Sequence, residues 1–475
     1  MKKMNNNPQV FNPYLPSWEY IPDGEPHVFG DRVYVYGSHD RFNGHAYCLN
    51  DYVCWSAPVD DLKNWKYEGV IYEKTADPLN KDGSMNLFAP DVTQGPDGKY
   101  YLYYVFDELS IVSVAVCSTP AGKYEFYGYV HYSDGTRLGD RPGDEQQFDP
   151  GVLTEGDVTY LYTGFCPPEI ETRTGARVTV LDSDMLTIIK DPVTVAPNKV
   201  NSAGTEFEGH EFFEAPSIRK IGSTYYLIYS SILFHELCYA TSKSPVKDFK
   251  FQGVVVSNND SYIGTYKPAG MPAFYGGNNH GGMVLINGEW YIFYHRHTNG
   301  TSFSRQACAQ PVKIDSDGII TQAEMTSCGL NGGPLAGRGE YPAYIACNLF
   351  CKDESAYTPW NAFMDNRYPK ITQDGKDGDE EPGYIANMMN SATAGFKYFD
   401  CSGISKVKIK VRGYCSGDFE IKTSWDGSVL GKITVKSSTV WKTYSADISI
   451  PDGIQALYFR YAGEGLASLA SFTLE

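Results

Sequence analysis

A short sequence pattern recurs five times in the first two thirds of this 475-residue chain. Each copy is a polar, glycine-containing turn followed by an aromatic-rich segment, which is typical of a hairpin turn entering a β-strand. The copies span residues 30–36, 97–104, 156–162, 222–229 and 287–294. They recur every 59 to 67 residues. That spacing leaves room for about four short strands in each unit.

Further strand-like segments lie between the copies. A third strand is predicted downstream of each repeat, at residues 52–56, 112–116, 177–181, 236–240 and 305–309. No segment with a clear helical period interrupts them. A four-stranded unit that repeats in this way is typical of a propeller blade. We therefore predict an all-β fold in which residues 1–335 form a five-bladed β-propeller.

The composition agrees with a soluble all-β protein. The 37 Tyr and 47 Gly favour pleated strands and tight turns. A net charge of −17 argues against nucleic-acid binding, which depends on Lys and Arg. The sequence has neither a signal peptide nor a transmembrane stretch, so we expect no membrane association. A cytoplasmic location is expected, or secretion if a leader has been removed.

The 11 cysteines include no CxxC pair. We expect most of them to be small buried side chains in a reducing compartment. Pairing of Cys48 with Cys54, or of Cys347 with Cys351, stays open.

Four polar residues stand at the same distance before the aromatic segments. Asp23, Asp149, Glu214 and His280 each lie eleven residues before a tyrosine of the following repeat. The first strand of a propeller blade lines the central axis, so residues in matched register should point into one central cavity. The second repeat differs and carries the aromatic Phe88 near the equivalent place. Three acids, an imidazole and an aromatic ring are thus predicted to meet on one axis.

Three carboxylates in one cavity suit the hydrolysis of a glycosidic bond. One carboxylic acid protonates the leaving oxygen, and a second carboxylate activates water or attacks the sugar carbon. A third acid can raise the pKa of the proton donor, because like charges held close together disfavour a second ionisation. Each acid taken singly could be a turn residue that caps a strand. The shared register favours a catalytic set.

With these residues in place, residues 10–335 resemble glycoside hydrolase family 43, whose members are five-bladed propellers. The motifs that carry the resemblance lie at residues 36–40, 88–91, 148–150, 214–216 and 294–296.

The family resemblance implies a role for each member of the predicted site. Asp23 is expected to be the general base, Asp149 a pKa modulator and Glu214 the general acid. Substrate-binding roles are implied for Phe88, His280 and Arg305. The family inverts anomeric configuration, which requires about 6.5–9.5 Å between base and acid. The resemblance implies no catalytic cofactor and allows a structural calcium ion, with no metal ligands assigned.

Two nearby acids are alternatives to this set. The usual Asp-Pro of the base is here spread over residues 23–26, so Glu25 is a rival base, although the register favours Asp23. Asp91 lies three residues beyond Phe88, and we expect it to be a structural hydrogen-bonding acid. His39 and Asp40 either rim the cavity or cap the preceding strand.

The pattern changes after about residue 335. A connector (337–355) and an acidic loop (374–382) precede alternating segments that predict a β-sandwich over residues 336–475. The predicted strands lie at residues 405–412, 419–423, 431–435 and 456–461. This part resembles carbohydrate-binding module family 6 at residues 441–444 and 457–459. By that resemblance, Trp441 and Tyr384 either stack on a sugar in a loop-end cleft or serve as packing residues.

The sequence therefore predicts an inverting, exo-acting glycoside hydrolase. Its expected product is a terminal pentose, α-L-arabinofuranose or β-D-xylose, from hemicellulose- or pectin-derived oligosaccharides. One alternative is an endo-acting arabinanase or galactan-directed enzyme, and another is an inactive carbohydrate-binding propeller. The expected partner is an oligosaccharide or polysaccharide. The choice between arabinoside and xyloside and the oligomeric state stay open.

Overall fold

The computed structural model describes residues 9–351 and 367–475. These ranges contain β-strands and four short 3₁₀ turns, at Lys74–Ala76, Pro78–Asn80, Gly329–Asn331 and Ala343–Ile345. The prediction of an all-β fold is thus confirmed. Within the same ranges, no helix has the length and hydropathy needed to cross a bilayer. The extreme N-terminus and connector residues 352–355, both considered above, lie outside the described residues.

Five antiparallel sheets of four strands follow one another along the chain, each with its strands in chain order. The first sheet contains β1 (Glu25–Phe29), β2 (Arg32–Tyr36), β3 (Tyr52–Pro58) and β4 (Lys66–Tyr72). The second contains β5 (Leu87–Gln94), β6 (Tyr100–Phe106), β7 (Ser113–Cys117) and β8 (Glu125–Tyr129). The third contains β9 (Gly151–Glu155), β10 (Val158–Thr163), β11 (Gly175–Leu181) and β12 (Ile188–Pro197). The fourth contains β13 (Phe212–Ile221), β14 (Thr224–Ser231), β15 (Glu236–Ser242) and β16 (Lys250–Ser257). The fifth contains β17 (Met283–Ile286), β18 (Glu289–His297), β19 (Arg305–Ile314) and β20 (Ile320–Thr321).

The five aromatic repeats form the second strand of each sheet, and the predicted third strands are β3, β7, β11, β15 and β19. Several of these second strands are buried over most of their length rather than alternating between buried and exposed residues. In β6, six of seven residues are buried, because each sheet packs between two others. Tyrosine fits this environment since its hydroxyl finds a partner: Tyr103 donates to the Met185 carbonyl at 2.7 Å.

The sheets pack against one another in a closed ring. Separate hydrophobic clusters join the first sheet to the second, the second to the third and the third to the fourth. Two further clusters join the fourth to the fifth and the fifth back to the first. Near the axis, β1 contacts both β5 and β17. The N-terminal segment closes the ring, because Tyr14 packs in the cluster between the first and fifth sheets and its amide donates to the Ala307 carbonyl.

Two larger sheets follow the ring. Their strands are β21 (Leu335–Ala336), β22 (Gly339–Pro342), β23 (Asn348–Cys351), β24 (Lys370–Thr372), β25 (Tyr384–Met388), β26 (Ala392–Cys401), β27 (Ile404–Gly413), β28 (Cys415–Lys422), β29 (Gly431–Val435), β30 (Ser438–Ile450), β31 (Gly453–Gly465) and β32 (Ala467–Leu474). One sheet has the order β21-β26-β31-β28-β29, with β23 also on β26. The other has the order β24-β25-β32-β27-β30, with β22 also on β32. The four strands predicted for this region are β27, β28, β29 and β31.

The start of the predicted connector belongs to the two C-terminal sheets. Its strands β22 and β23 pair with β32 and β26, far along the chain. A single hydrophobic cluster runs from Tyr226 and Ile292 in the ring to Phe459 and Phe472 in the larger sheets. The ring and the C-terminal sheets therefore share a core.

The cysteines are mostly buried, as expected. In the part of the chain that the structure describes, Cys48, Cys54 and Cys347 carry free thiols, so neither of the two pairings left open is formed.

Candidate active site

A cavity of about 760 Å³ lies at the centre of the ring. Each of the five sheets supplies one predicted residue to its wall, from within its first strand or two to three residues before it: Asp23, Phe88, Asp149, Glu214 and His280. Arg305, at the start of β19, reaches the same cavity. The residues that share the eleven-residue spacing therefore line one cavity, and the three acids are among them.

The backbone turns that present these acids are unusual. Asp23 and Asp149 have φ angles of 59° and 48°, and Ala215, next to Glu214, has 65°. Residues with a Cβ rarely adopt this left-handed conformation. Such strain persists where the surrounding structure imposes it, and it clusters at functional sites. Asp23 and Asp149 each stand two residues before their strand, so these turns set the direction of both carboxylates.

Asp23 is held in its ionised form. Nη1 of Arg305 donates to both carboxylate oxygens, at 3.0 and 3.2 Å, and Nδ1 of His295 lies 3.2 Å from Oδ1. Burial by itself would raise the pKa of Asp23, but the Arg305 guanidinium and His295 together hold it well below its usual range.

A second buried carboxylate fixes Arg305. Nε and Nη2 of Arg305 donate to the two oxygens of Asp40, at 2.8 and 2.9 Å. The Asp40 side chain is fully buried, and the Tyr47 ring lies 4.8 Å from the guanidinium carbon. A bidentate pair of this kind fixes orientation as well as charge. Neither alternative given for Asp40 describes it fully: it lies outside the cavity lining and holds Arg305 from beneath the wall.

Glu214 has the opposite electrostatic environment. Burial, followed by the negative charge of Asp23, raises its pKa to about 8, although Arg305 opposes the shift. The pKa of Asp149 is raised well above its usual value by burial and by the charges of Glu214 and Asp23. Near neutral pH the cavity therefore contains an ionised Asp23 and a protonated Glu214. This is the pairing of base and acid that hydrolysis requires.

His280 is a neutral imidazole on the cavity wall. Burial lowers its pKa to about 4, although Asp23 opposes the shift. Its Nδ1 lies 3.6 Å from a carboxylate oxygen of Asp149. The contact is consistent with a positioning role toward the modulator acid.

The rival acids lie outside the cavity. Glu25 is fully buried, and its Oε2 accepts hydrogen bonds from Arg219 at 2.6 Å and Ser217 at 3.1 Å. Asp91 accepts from the amides of Val92 and Val152 and lies 2.6 Å from Nε2 of His27. Asp23 is thus the acid of the first repeat that faces the cavity, and Asp91 has the structural bonding expected of it.

Several cavity residues were missed from the sequence. Phe88 begins a chain of ring contacts with centroids 4.8 to 5.5 Å apart. The other rings are Phe148, Phe165, Phe213 and Phe234. Phe148 and Phe213 directly precede Asp149 and Glu214, so the shared register could have identified them. His235 and Tyr47 also line the wall, and no sequence pattern indicated either.

Trp441 does not belong to this cavity. It lines a separate depression of about 390 Å³ with Tyr384, Lys410 and Ser471. These residues lie on β25, β27, β30 and β32, and Asp374 and Glu381 of the acidic loop also line the depression, so it lies on a sheet face beside that loop. The Arg412 guanidinium carbon lies 4.3 and 4.8 Å from the ring centres of Trp441 and Tyr384. It occupies part of the surface on which a sugar would stack.

One cluster of possible metal ligands in this region does not match the donor set of calcium, which takes six to eight oxygen ligands. Glu25, His27 and Asp91 lie close together below the cavity. However, one donor is an imidazole, and the Arg219 guanidinium already binds Glu25 at 2.6 Å. Among the described residues, this cluster would place a cation beside a fixed positive charge.

Known proteins similar to this chain are glycosyl hydrolases. The model of glycosyl hydrolases family 43 matches residues 21–320. A xylosidase/arabinosidase of Thermoclostridium stercorarium is 72% identical over 467 residues, which cover 98% of this chain and 99% of that protein.

Solved structures show the same fold. An arabinoxylan arabinofuranohydrolase from Bacillus subtilis, in complex with cellotetraose, superposes with a TM-score of 0.52 at 20% identity, covering 98% of this chain and 97% of that one. A β-xylosidase/α-arabinofuranosidase from a compost metagenome, solved with xylotriose in a calcium-free form, has a TM-score of 0.50 at 24% identity, covering 65% of this chain and 96% of that one. The chain belongs to glycosyl hydrolase family 43 and is a glycoside hydrolase.

Proposed function

We propose that this glycoside hydrolase is an inverting, exo-acting enzyme that releases a terminal α-L-arabinofuranose or β-D-xylose from oligosaccharides of plant hemicellulose or pectin. The observation that carries the proposal is the pair of carboxylates with opposite pKa shifts in one cavity, Asp23 ionised and Glu214 protonated. The name of the Thermoclostridium relative supports the choice of pentose.

In the proposed reaction, Asp23 accepts a proton from a water molecule that attacks the anomeric carbon. Glu214 gives its proton to the glycosidic oxygen as the bond to the leaving sugar breaks. Asp149 takes the modulator role in this proposal because its carboxyl group interacts electrostatically with Glu214, whose negative charge raises the pKa of Asp149. The proton lost by water and the proton received by the leaving group balance, and the chain's own carboxylates carry both transfers without a cofactor.

The remaining cavity residues would position the sugar. Phe88 offers an apolar ring to its C–H surface, and Arg305 and His280 offer polar atoms on the wall. Five phenylalanines line the cavity near the reacting acids. A water-poor wall strengthens the electrostatic effects on which the two carboxylates depend.

The proposed architecture is a five-bladed propeller (1–335) followed by a carbohydrate-binding-module-like β-sandwich (336–475). The closed ring of five four-stranded sheets and the two larger sheets support this division. Trp441 is a weaker candidate for sugar binding than the cavity residues, because Arg412 already packs on its ring.

A panel of nitrophenyl glycosides tests the proposal, with the anomeric configuration of the first product followed by NMR. We expect hydrolysis of the α-L-arabinofuranoside or the β-D-xyloside, with inversion. Glu214→Ala should reduce kcat by at least about 100-fold while the thermal unfolding temperature stays close to that of the wild type.

A matched control is Glu208→Ala, which removes an exposed acid from the loop before β13 and should leave activity unchanged. Near-normal activity of Glu214→Ala would contradict the assignment. Release of internal fragments from arabinan or galactan, without terminal pentose, would instead favour an endo-acting enzyme.

A further inference from the structure

A second group of polar side chains lies behind the wall of the catalytic cavity. Nδ1 of His210, on the loop before β13, lies 2.7 Å from Oε1 of Glu236, in β15. Sγ of Cys238, two residues along the same strand, lies 3.3 Å from that oxygen and 4.0 Å from Nδ1 of His210. An imidazole, a carboxylate and a thiol thus converge on one point.

The hydrogen bonds in this group leave one acceptor with few donors. The Glu236 side chain is fully buried, and its Oε1 is close to His210, Cys238 and Ser231. The second oxygen, Oε2, is buried and accepts no hydrogen bond from these residues. The Tyr262 hydroxyl also interacts with the Glu236 carboxylate, whose charge and hydrogen bonding raise the pKa of the hydroxyl after burial. Apart from this hydroxyl, Oε2 has no donor among the described residues, and a buried charged oxygen with so few partners is costly.

The donor types and their spacing suit zinc. Zinc binds nitrogen, sulfur and oxygen ligands at about 2.0–2.3 Å in a tetrahedron, which places ligand atoms about 3.3–3.6 Å apart. The observed separations of 2.7, 3.3 and 4.0 Å lie within about 0.7 Å of that range. Calcium and magnesium prefer all-oxygen sets, and a thiol disfavours them.

We propose that His210, Glu236 and Cys238 bind a zinc ion at this place, with a water molecule as fourth ligand on the solvent side. The His210 side chain is 29% exposed, which gives the ion an entry path. On binding, the Cys238 thiol loses its proton to solvent as the zinc–sulfur bond forms. Thiolate and carboxylate then neutralise the two positive charges of the ion.

Zinc at this position would tie the loop before β13 to β15. His235, which lines the catalytic cavity, directly precedes Glu236 in the chain. The site lies apart from the reacting acids, so its expected effect is on the stability of this part of the wall rather than on the chemistry. Zinc affinity should fall at lower pH, because protons compete for the thiolate and the imidazole.

Isothermal titration of the metal-free full-length protein with Zn²⁺ tests the proposal, with Co²⁺ as a spectroscopic probe. We expect one zinc per chain, a thiolate-to-Co²⁺ charge-transfer band and a higher unfolding temperature with zinc. Cys238→Ser should lose the band and weaken zinc binding by at least about 100-fold, since even loss of an outer-shell partner costs 10- to 100-fold.

Cys117→Ser is the matched control, because it removes a more accessible thiol far from these ligands and should bind zinc like the wild type. If Cys238→Ser does not fold, His210→Ala tests the same zinc site, because the His210 side chain is partly exposed and its loss should be tolerated. Hydrolysis of a nitrophenyl pentoside by each variant reports a folded protein. Zinc uptake that is equal in the wild type and both ligand variants, or absent from the wild type, overturns the proposal.

Discussion

Asp23 and Glu214 are carboxylates of one cavity whose pKa values move in opposite directions. Both are subject to burial, which favours the neutral form. Asp23 touches a guanidinium at 3.0 Å, and that contact reverses the effect of burial. Glu214 instead has the negative charge of Asp23 as its main neighbour, which adds to the effect of burial. Neighbouring charges therefore account for the opposite pKa shifts of the two acids.

The pH dependence of kcat/KM should report these two groups. Activity requires protonated Glu214, so it should fall as pH rises through about 8. It also requires ionised Asp23, whose pKa lies well below its usual range, so the acidic limb should appear only at low pH. A pH profile on a nitrophenyl pentoside checks both limbs. An alkaline limb several units above 8 would contradict the assignment of Glu214.

Asp40 is a positioning residue that acts through Arg305. Asp40→Asn loosens the guanidinium, so the pKa of Asp23 should rise toward its usual value and the acidic limb should move to higher pH. A displaced Arg305 should also lower kcat by about 100-fold. A merely structural role would lower the unfolding temperature without moving the acidic limb. His39→Gln, one residue away and outside the cavity, is the control for general loss of packing.

At the scale of elements, the separation of the acids depends on how closely the first strands approach. Asp149 stands just before β9, and Glu214 lies in β13. At Gly151, the first residue of β9, a Cβ would lie 2.0 Å from the Pro216 carbonyl oxygen of β13. Glycine permits this approach, and no side chain could fit without moving one of the two strands.

Gly151→Ala should therefore affect activity and stability together. The added methyl group should push β9 from β13, at a cost of about 1–3 kcal/mol in the free energy of unfolding, and should displace Asp149 relative to Glu214. Thermal unfolding and kcat measure the two effects. Gly270→Ala is the control, because a Cβ there meets no atom within 4 Å. Unchanged values for Gly151→Ala would show that the strands can adjust freely.

At the scale of the whole molecule, a buried cluster of charged side chains connects the C-terminal sheets to the ring. Lys397 of β26 is fully buried, and its Nζ lies 3.4 Å from Asp260 and 2.8 Å from Glu324. The Tyr266 ring centre lies 3.5 Å from the same nitrogen. Together with the shared hydrophobic cluster, these contacts make the two parts one folding unit.

Lys397→Met should lower the free energy of unfolding by about 3–5 kcal/mol, because it leaves Asp260 buried without its cation. Calorimetry of the wild type should show one cooperative transition. Two separate transitions in the wild type would contradict a shared core. The double variant Lys397→Met/Asp260→Asn removes both charges and should recover part of the loss.

The sequence by itself determined the periodic features of this protein. Five turn-and-strand repeats predicted the all-β fold and the second strand of every sheet, because strand pairing follows local turn and side-chain patterns. The eleven-residue register placed Asp23, Asp149, Glu214 and His280 in one cavity, because a repeat in sequence becomes a repeat around an axis.

Only the tertiary structure decided which groups face these acids. Asp40 and His295 follow the first and fifth repeats, but their contacts with Arg305 and Asp23 could not be inferred from those positions. The contact of Glu25 with Arg219, which holds Glu25 outside the cavity, could not be inferred either. The place of Trp441 on a sheet face and the cluster at Cys238 likewise depend on strands paired across long stretches of chain. Such contacts leave no local pattern, since they are set by packing and by the charges that packing brings together.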